Sequence, residues 1–215
     1  GKVKGVKEGQ IISLTDVNRP ADTLAKAKFS KGVFVLKAEL KEPMILNINM
    51  GDKKSLMTFL HNSSVKVAGD VNQLKEIKLT GSPLHNDFVD FKKTFDPLFE
   101  RLMKMNQQYQ QGLRTDSTMT AMNTTKEDIQ KGIDQFIEKR QSSAVSAFLI
   151  AATIQLNDDV LLTEQRMNSL KPAALENMYC IYLKETVAEA KINAVGSTAI
   201  DFTQADTSGN PVSLS

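Results

Sequence analysis

Two histidines and one cysteine stand among the 215 residues, so imidazole or thiolate chemistry would have to run through His61, His85 or Cys180. Neither histidine has a second histidine or a cysteine at metal-ligand spacing. His61 falls in a turn and His85 in the first turn of a helix, and both are expected to be solvated surface residues. Nucleophilic catalysis needs a serine or cysteine beside a histidine with an orienting carboxylate. The sequence carries no G-x-S-x-G elbow, and no phosphate-binding loop of the G-x-x-x-x-G-K-[ST] or G-x-G-x-x-G kind. Asp158 and Asp159 form an acidic pair beside Asn157, where a turn or a helix cap accounts for them without metal or acid–base work. Cys180 has no partner cysteine, which excludes an intramolecular disulfide, a redox dithiol and a cysteine zinc site. It lies in a helical apolar pattern and is expected to be buried and inert. No catalytic, cofactor-binding or metal-binding residue follows, and no cofactor.

Hydrophobic residues make up 41% and charged residues 24%, ordinary for a globular chain with one large or two small cores. No run of about 18 apolar residues occurs, so none of it is expected to span a membrane. The opening GKVKGV reads as strand without a basic start and apolar run, so any leader peptide is expected to be already removed. The net charge of +2 is uneven: residues 1–80 hold 14 Lys/Arg against 8 Asp/Glu, leaving 13 against 17 in residues 81–215. That asymmetry points to two units. The lysines of the basic half (Lys2, Lys4, Lys7, Lys26, Lys28, Lys31, Lys37, Lys41) are scattered singly, as on solvent faces and edges of strands. Tryptophan is absent, and most phenylalanines lie outside the basic half. A nucleic-acid interface of stacked bases is not expected.

The elements that would have to position any site divide at Ser82. Before it, polar and apolar residues alternate over short runs, which predicts strands at 3–6, 11–16, 33–40, 44–50, 55–60, 65–68 and 77–80. The clearest is 33–40, with Phe34, Leu36, Ala38 and Leu40 on one face against Lys37 and Glu39. Leu46, Ile48 and Met50 share a face opposite Asn47 and Asn49, as in a neighbouring antiparallel strand. Hairpin-length turns are expected at Ser30-Lys31-Gly32, Lys41-Glu42-Pro43, Gly51-Asp52 and His61-Asn62-Ser63. The pattern fits an antiparallel sandwich or small barrel.

At Ser82-Pro83 the period lengthens, with an N-cap side chain followed by proline at the first helical position. Phe88, Phe91, Phe95, Leu98, Leu102, Met105 and Tyr109 then form a seam at spacings of three and four. Such a seam could line a cofactor or lipid pocket, but core packing is its commoner use. Pro97 predicts a kink or break near Lys93. A loop is expected over 112–124, with Thr125 and Asp128 as a capping box for a helix burying Ile129, Ile133, Phe136 and Ile137. Ser142 and Ser143 would open another helix, carrying Phe148, Leu149 and Ile150. Lys171-Pro172 would open the last long one, burying Leu175, Met178, Tyr182 and Val187. The fold class is α+β: an antiparallel β domain over 1–81, a helical domain over 82–194, and an extended tail over 195–215.

Two stretches carry a family likeness. KGVFVL, Pro43, FLHNSSVKVAG and LTGSPL, in that order, resemble the N-terminal domain of unknown function that precedes TlpA-like thiol–disulfide oxidoreductases of the bacterial cell envelope. The matching positions are Gly32, Phe34 and Leu36, then Phe59 to Ser63, Val65 to Gly69, and Leu79 to Ser82. Leu36, His61 and Ser63 stand where that family has phenylalanine, glutamate and glycine. VGSTAIDFTQADTSGNPVSLS resembles the hairpin that opens the thioredoxin-like domain of such proteins, through Val195, Gly196, Ala199, Asp201, Phe202, Asp206, Gly209, Val212 and Leu214. Ile200 replaces the usual proline there.

The resemblance implies an accessory N-terminal module of a periplasmic or envelope protein, lipid-anchored in its parent, with the C-x-x-C domain following residue 215. Its partners would then be the thioredoxin-like domain of the same parent chain, a second copy in a homodimer, and the protein whose disulfide is exchanged. Membrane contact would come only through the anchor. Cys180 does not stand for the family's redox cysteines. The alternative is a β-sandwich binding module for a peptide, glycan or lipid, which a well-formed apolar pocket with convergent polar groups would favour. A stand-alone hydrolase is a third reading, with no residue set behind it. Phe202, Val212 and Leu214 are expected to lie outside this chain's own core.

Overall fold

The structure, a computed structural model, describes residues 1–51, 54–157, 159–192 and 203–213. The fold is α+β, with seven strands before the helices: β1 (Lys2–Lys4), β2 (Ile11–Asp16), β3 (Thr23–Lys28), β4 (Met44–Asn49), β5 (Ser55–Leu60), β6 (Lys66–Asp70) and β7 (Lys78–Thr80). One sheet has the order β3-β2-β4-β5 and is antiparallel throughout; the other has the order β1-β6-β7. In the second sheet β1 runs parallel to β6, which corrects the purely antiparallel expectation. Parallel neighbours need a long crossover, and here the whole first sheet lies between β1 and β6 in sequence.

Alternation places the core. Leu46, Ile48 and Met50 are buried, as their shared face predicts, and meet Ile12, Leu14, Leu60, Val67 and Leu79 between the sheets. β3 was not expected. Its alanines and lysines have low strand propensity, and it forms an edge on which Lys26 and Lys28 are exposed. Lysines on an edge discourage further pairing.

The clearest predicted strand, 33–40, belongs to no sheet. Phe34 and Leu40 are buried and Leu36 half-buried, but Ala38 is exposed, and among the described residues its one bridge is Ser30 to Val33 across the Lys31-Gly32 turn. The alternation reported one buried face; it did not report a hydrogen-bonding neighbour.

Among the described residues six α-helices follow: α1 (Pro83–Gln110), α2 (Asp116–Lys139), α3 (Ala144–Thr153), α4 (Val160–Asn168), α5 (Pro172–Leu175) and α6 (Met178–Ile192). Ser82 caps α1, accepting the His85 N–H at 3.2 Å. Helix α1 continues through Pro97. Of the kink or break expected near Lys93, the break does not occur: proline removes one N–H, and the flanking Phe95 and Leu102 are held in the core. Thr115, rather than Thr125, caps α2 and shortens the expected loop. Thr125 sits inside the helix and turns its hydroxyl onto the Ala121 carbonyl at 2.8 Å. Ser143 caps α3 as expected, and Asp159 caps the unforeseen α4 by accepting the Leu162 N–H. Asp158 lies outside the described residues.

Lys171-Pro172 opens only the short α5. Asn177 then accepts the Tyr179 and Cys180 amides at 3.0 and 3.2 Å and starts α6 afresh. This restart resets the buried face to Tyr179, Cys180, Leu183 and Val187, leaving Met178 and Tyr182 exposed, contrary to the expectation.

The two cores share a wall. Ile45 of β4 and Phe59 of β5 turn away from the sandwich and join the phenylalanines of α1 and α3. A short hairpin, β8 (Thr203–Ala205) with β9 (Pro211–Ser213), ends the described chain.

Candidate functional site

The residues singled out for chemistry make no hydrogen bond to one another among the described residues. His61 is exposed in its turn. His85, expected to be solvated, is only 6% exposed, because the start of α1 packs on β5 and brings its Nδ1 to 2.8 Å from the Thr58 Oγ1. Burial lowers the His85 pKa from its ordinary 6.5, and the charge of Lys92 lowers it further. The unfolded chain therefore holds this proton more tightly than the folded one. Stability from this group is complete above about pH 6.5 and declines as pH falls below it, by at most about 1.4 kcal/mol per pH unit. Urea unfolding at pH 7.5 and 5.5 is expected to show that loss, and His85→Gln to shrink it. An equal loss in both proteins would rule out His85 as its source.

Cys180 is fully buried, and its thiol faces the Ala174 carbonyl at 3.4 Å. Burial raises its pKa, with Lys184 offsetting part of the rise. A thiol held protonated and shielded is a poor nucleophile. Among the described residues no group of three or more His, Cys, Asp and Glu could hold a metal ion. No described helix is long and apolar enough to cross a membrane.

The wall between the cores carries one orphan. Tyr179 is 9% exposed, and its hydroxyl has no hydrogen-bond partner. Burial pushes its pKa up to about 12; the Ile45 backbone, close to the hydroxyl but outside hydrogen-bonding geometry, offsets part of this, and Asp16 and Glu42 add to it. A buried hydroxyl without a partner costs about 1–3 kcal/mol. Tyr179→Phe should accordingly raise the unfolding free energy by roughly 1 kcal/mol, read from the urea midpoint; a loss of stability would mean that the hydroxyl is satisfied in solution.

What does converge is a cavity in the β unit. It has a volume of about 230 Å³, with Leu46, Ile48, Leu60 and Val67 in its walls and His61, Asn62 and Ser63 among the residues around it. Its remaining side is the segment 34–40, which belongs to no sheet. Asn62 grips the end of that segment: its Oδ1 accepts the Leu40 N–H at 2.8 Å, and its Nδ2 donates to the Leu40 carbonyl at 2.7 Å. Sequence reasoning passed over Asn62 as one residue of a turn. The available signal was chemical, since an asparagine amide offers one donor and one acceptor in the layout of a peptide group.

Residues 1–88 match DUF4369, a domain of unknown function. The match takes in both sheets, the cavity and the first turns of α1, and stops at Phe88 in the shared wall. It is silent on most of the helical region and on the hairpin. No curated protein and no solved structure matches the chain.

Proposed function

We propose that this chain is a non-catalytic accessory module of an envelope thiol–disulfide oxidoreductase, which positions a thioredoxin-like domain by dimerising or by docking the protein whose disulfide is exchanged. The observation that carries this reading is the β8–β9 hairpin. Its strands pair with each other through Thr203 and Ser213, and all six strand residues are exposed. The Asp206 carboxylate accepts the amides of Ser208 and Asn210 at 2.8 Å and holds the turn. An independently formed hairpin with Val212 55% exposed suits the opening of a further domain. Val195, Gly196, Ala199, Ile200, Asp201, Phe202 and Leu214, which also carry the resemblance, lie outside the described residues. The shielded Cys180 fits a module that leaves redox chemistry to other sulfurs.

The test is the reading frame after Ser215 together with an assay of the chain. A C-x-x-C within roughly 40 residues and no insulin-disulfide reduction by the 215-residue chain are expected. A frame lacking that motif, or turnover abolished by Cys180→Ala, would end the reading.

The cavity favours a second reading, in which the DUF4369-like unit is a binding module. Apolar walls and a rim that includes His61, Asn62 and Ser63 are the usual make-up of a ligand site.

A further inference from the structure

A second cleft opens where the β unit meets the helices, and its wall is built from residues between Pro43 and Ala173. Separate pieces of chain enclose it: the turn at His61 and Ser63, the start of α1 at Ser82 and Asp87, and the joint 138–144 between α2 and α3. Lys171, just ahead of α5, completes it. Its volume is about 590 Å³, inside the ~300–1,000 Å³ of small-molecule sites.

The wall holds donors that the protein leaves unspent. Ser82 and Ser143 are only 2% and 8% exposed. Each Oγ accepts one backbone N–H, that of His85 at 3.2 Å and that of Val145 at 3.3 Å, yet neither hydroxyl hydrogen meets an acceptor among the described residues. Buried hydroxyls ordinarily donate as well as accept. Arg140 gives its Nε to Asp87 and its Nη2 to Asp90, while its Nη1 makes no hydrogen bond among the described residues. The ammonium groups of Lys139 and Lys171 make no ion pair among them either. Of the two carboxylates in the wall, Asp87 is taken by Arg140 and Glu138 is exposed. Buried donors behind two unpaired cations suit a guest that only accepts and carries negative charge.

We propose that this cleft binds a phosphate group, free or in a small ester, with Ser82, Ser143 and Arg140 donating to its oxygens and Lys139 and Lys171 supplying charge at the mouth. The donors stand on different elements and so approach from different directions. A phosphate offers three strong acceptor oxygens arranged tetrahedrally, whereas a carboxylate offers two in one plane. The spare edge of a guanidinium matches phosphate geometry. This site is separate from the sandwich cavity, and binding here is compatible with either reading above.

The experiment follows the amide signals of the nitrogen-labelled 215-residue chain at constant ionic strength. Inorganic phosphate, glycerol 1-phosphate and phosphatidylcholine vesicles containing phosphatidic acid are added in turn. Saturable shifts are expected at Ser82, Ser143 and Ala144. Lys171→Gln should weaken binding about tenfold, and Lys28→Gln, on the β3 edge, should leave it unchanged. Ser143→Thr keeps the hydroxyl and the cap of α3 and should bind as the parent does. Ser143→Ala should bind about tenfold more weakly; if it does not fold, the Lys171 and threonine variants still decide. Tighter binding of the ester, of the free ion or of the vesicles would each support the phosphate chemistry and identify its source. Shifts that never saturate and spread over the strand lysines would overturn the proposal. So would equal losses in Lys171→Gln and Lys28→Gln, or succinate producing the same shifts at the same concentration.

Discussion

Phe95→Ala lowers the unfolding free energy by about 3–5 kcal/mol, the range for deleting a buried aromatic side chain, with a fall in the thermal midpoint of about 10 °C. Phe95 is fully buried in α1 and sits at the centre of a ring cluster. It stacks on Phe91 at 5.4 Å and Phe99 at 5.9 Å and meets the edge of Phe136 from α2 at 6.0 Å. Across from it α2 carries Gly132, where an added Cβ would come within 3.2 Å of the Phe95 ring. The two helix backbones are therefore already as close as this ring allows. When the ring is removed they can settle only slightly, because Phe91 and Phe136 are themselves in edge contact at 6.5 Å. The cavity left behind should persist, which puts the cost toward the upper end of the range. Urea unfolding followed by far-ultraviolet circular dichroism measures it. A loss below about 1 kcal/mol would mean that α1 and α2 collapse onto each other freely and that the cluster is not a rigid core.

The same helices show what periodicity conveys and what it omits. The seam from Phe88 to Met105 was legible because spacings of three and four put its residues on one side of a helix, and that side is the buried one. The continuity of α1 through Pro97 was not legible, since a proline's effect depends on whether tertiary packing holds the turns around it. Thr125 misled for a related reason. A threonine followed by an acid three residues later fits a cap, but a hydroxyl can also fold back on its own helix, as this one does on Ala121. In the β unit, alternation located β2, β4 and β5, found the buried face of β4 and missed β3, whose edge position lets it carry alanine and lysine. The site was the least legible part. Its floor is ordinary sandwich core, and its remaining side is the segment 34–40, which joins no sheet and is held at Leu40 by the Asn62 amide, an arrangement that side-chain pattern does not encode. His85 belongs here too, because its cap position was readable and the strand lying over it was not.

Gly81→Ala destabilises by about 3 kcal/mol, whereas Gly112→Ala, with nearly the same backbone angle, costs about 1 kcal/mol. Gly81 has a φ of +97° and Gly112 a φ of +95°, so a side chain is strained at both. Their surroundings differ. An added Cβ at Gly81 would stand 2.5 Å from the Ser64 carbonyl oxygen and 3.4 Å from the Val65 Cα, while at Gly112 nothing lies within 4 Å. Both obstacles at Gly81 are backbone and cannot rotate aside, so relief requires moving β7 or the strand start beside it. β7 holds its register with β6 through Lys66 to Thr80 and Val67 to Leu79, and Ser82 on the other side caps α1 through the His85 amide. A shift at Gly81 thus disturbs the second sheet and the seating of His85 against Thr58 together. Gly81 lies in the LTGS turn of the family likeness, and the close approach gives that glycine a physical reason independent of any likeness. Paired chemical denaturation of the two variants tests it: equal losses would reduce the requirement to backbone angle alone and remove the claim that the junction between the sandwich and the helices is locked by this contact.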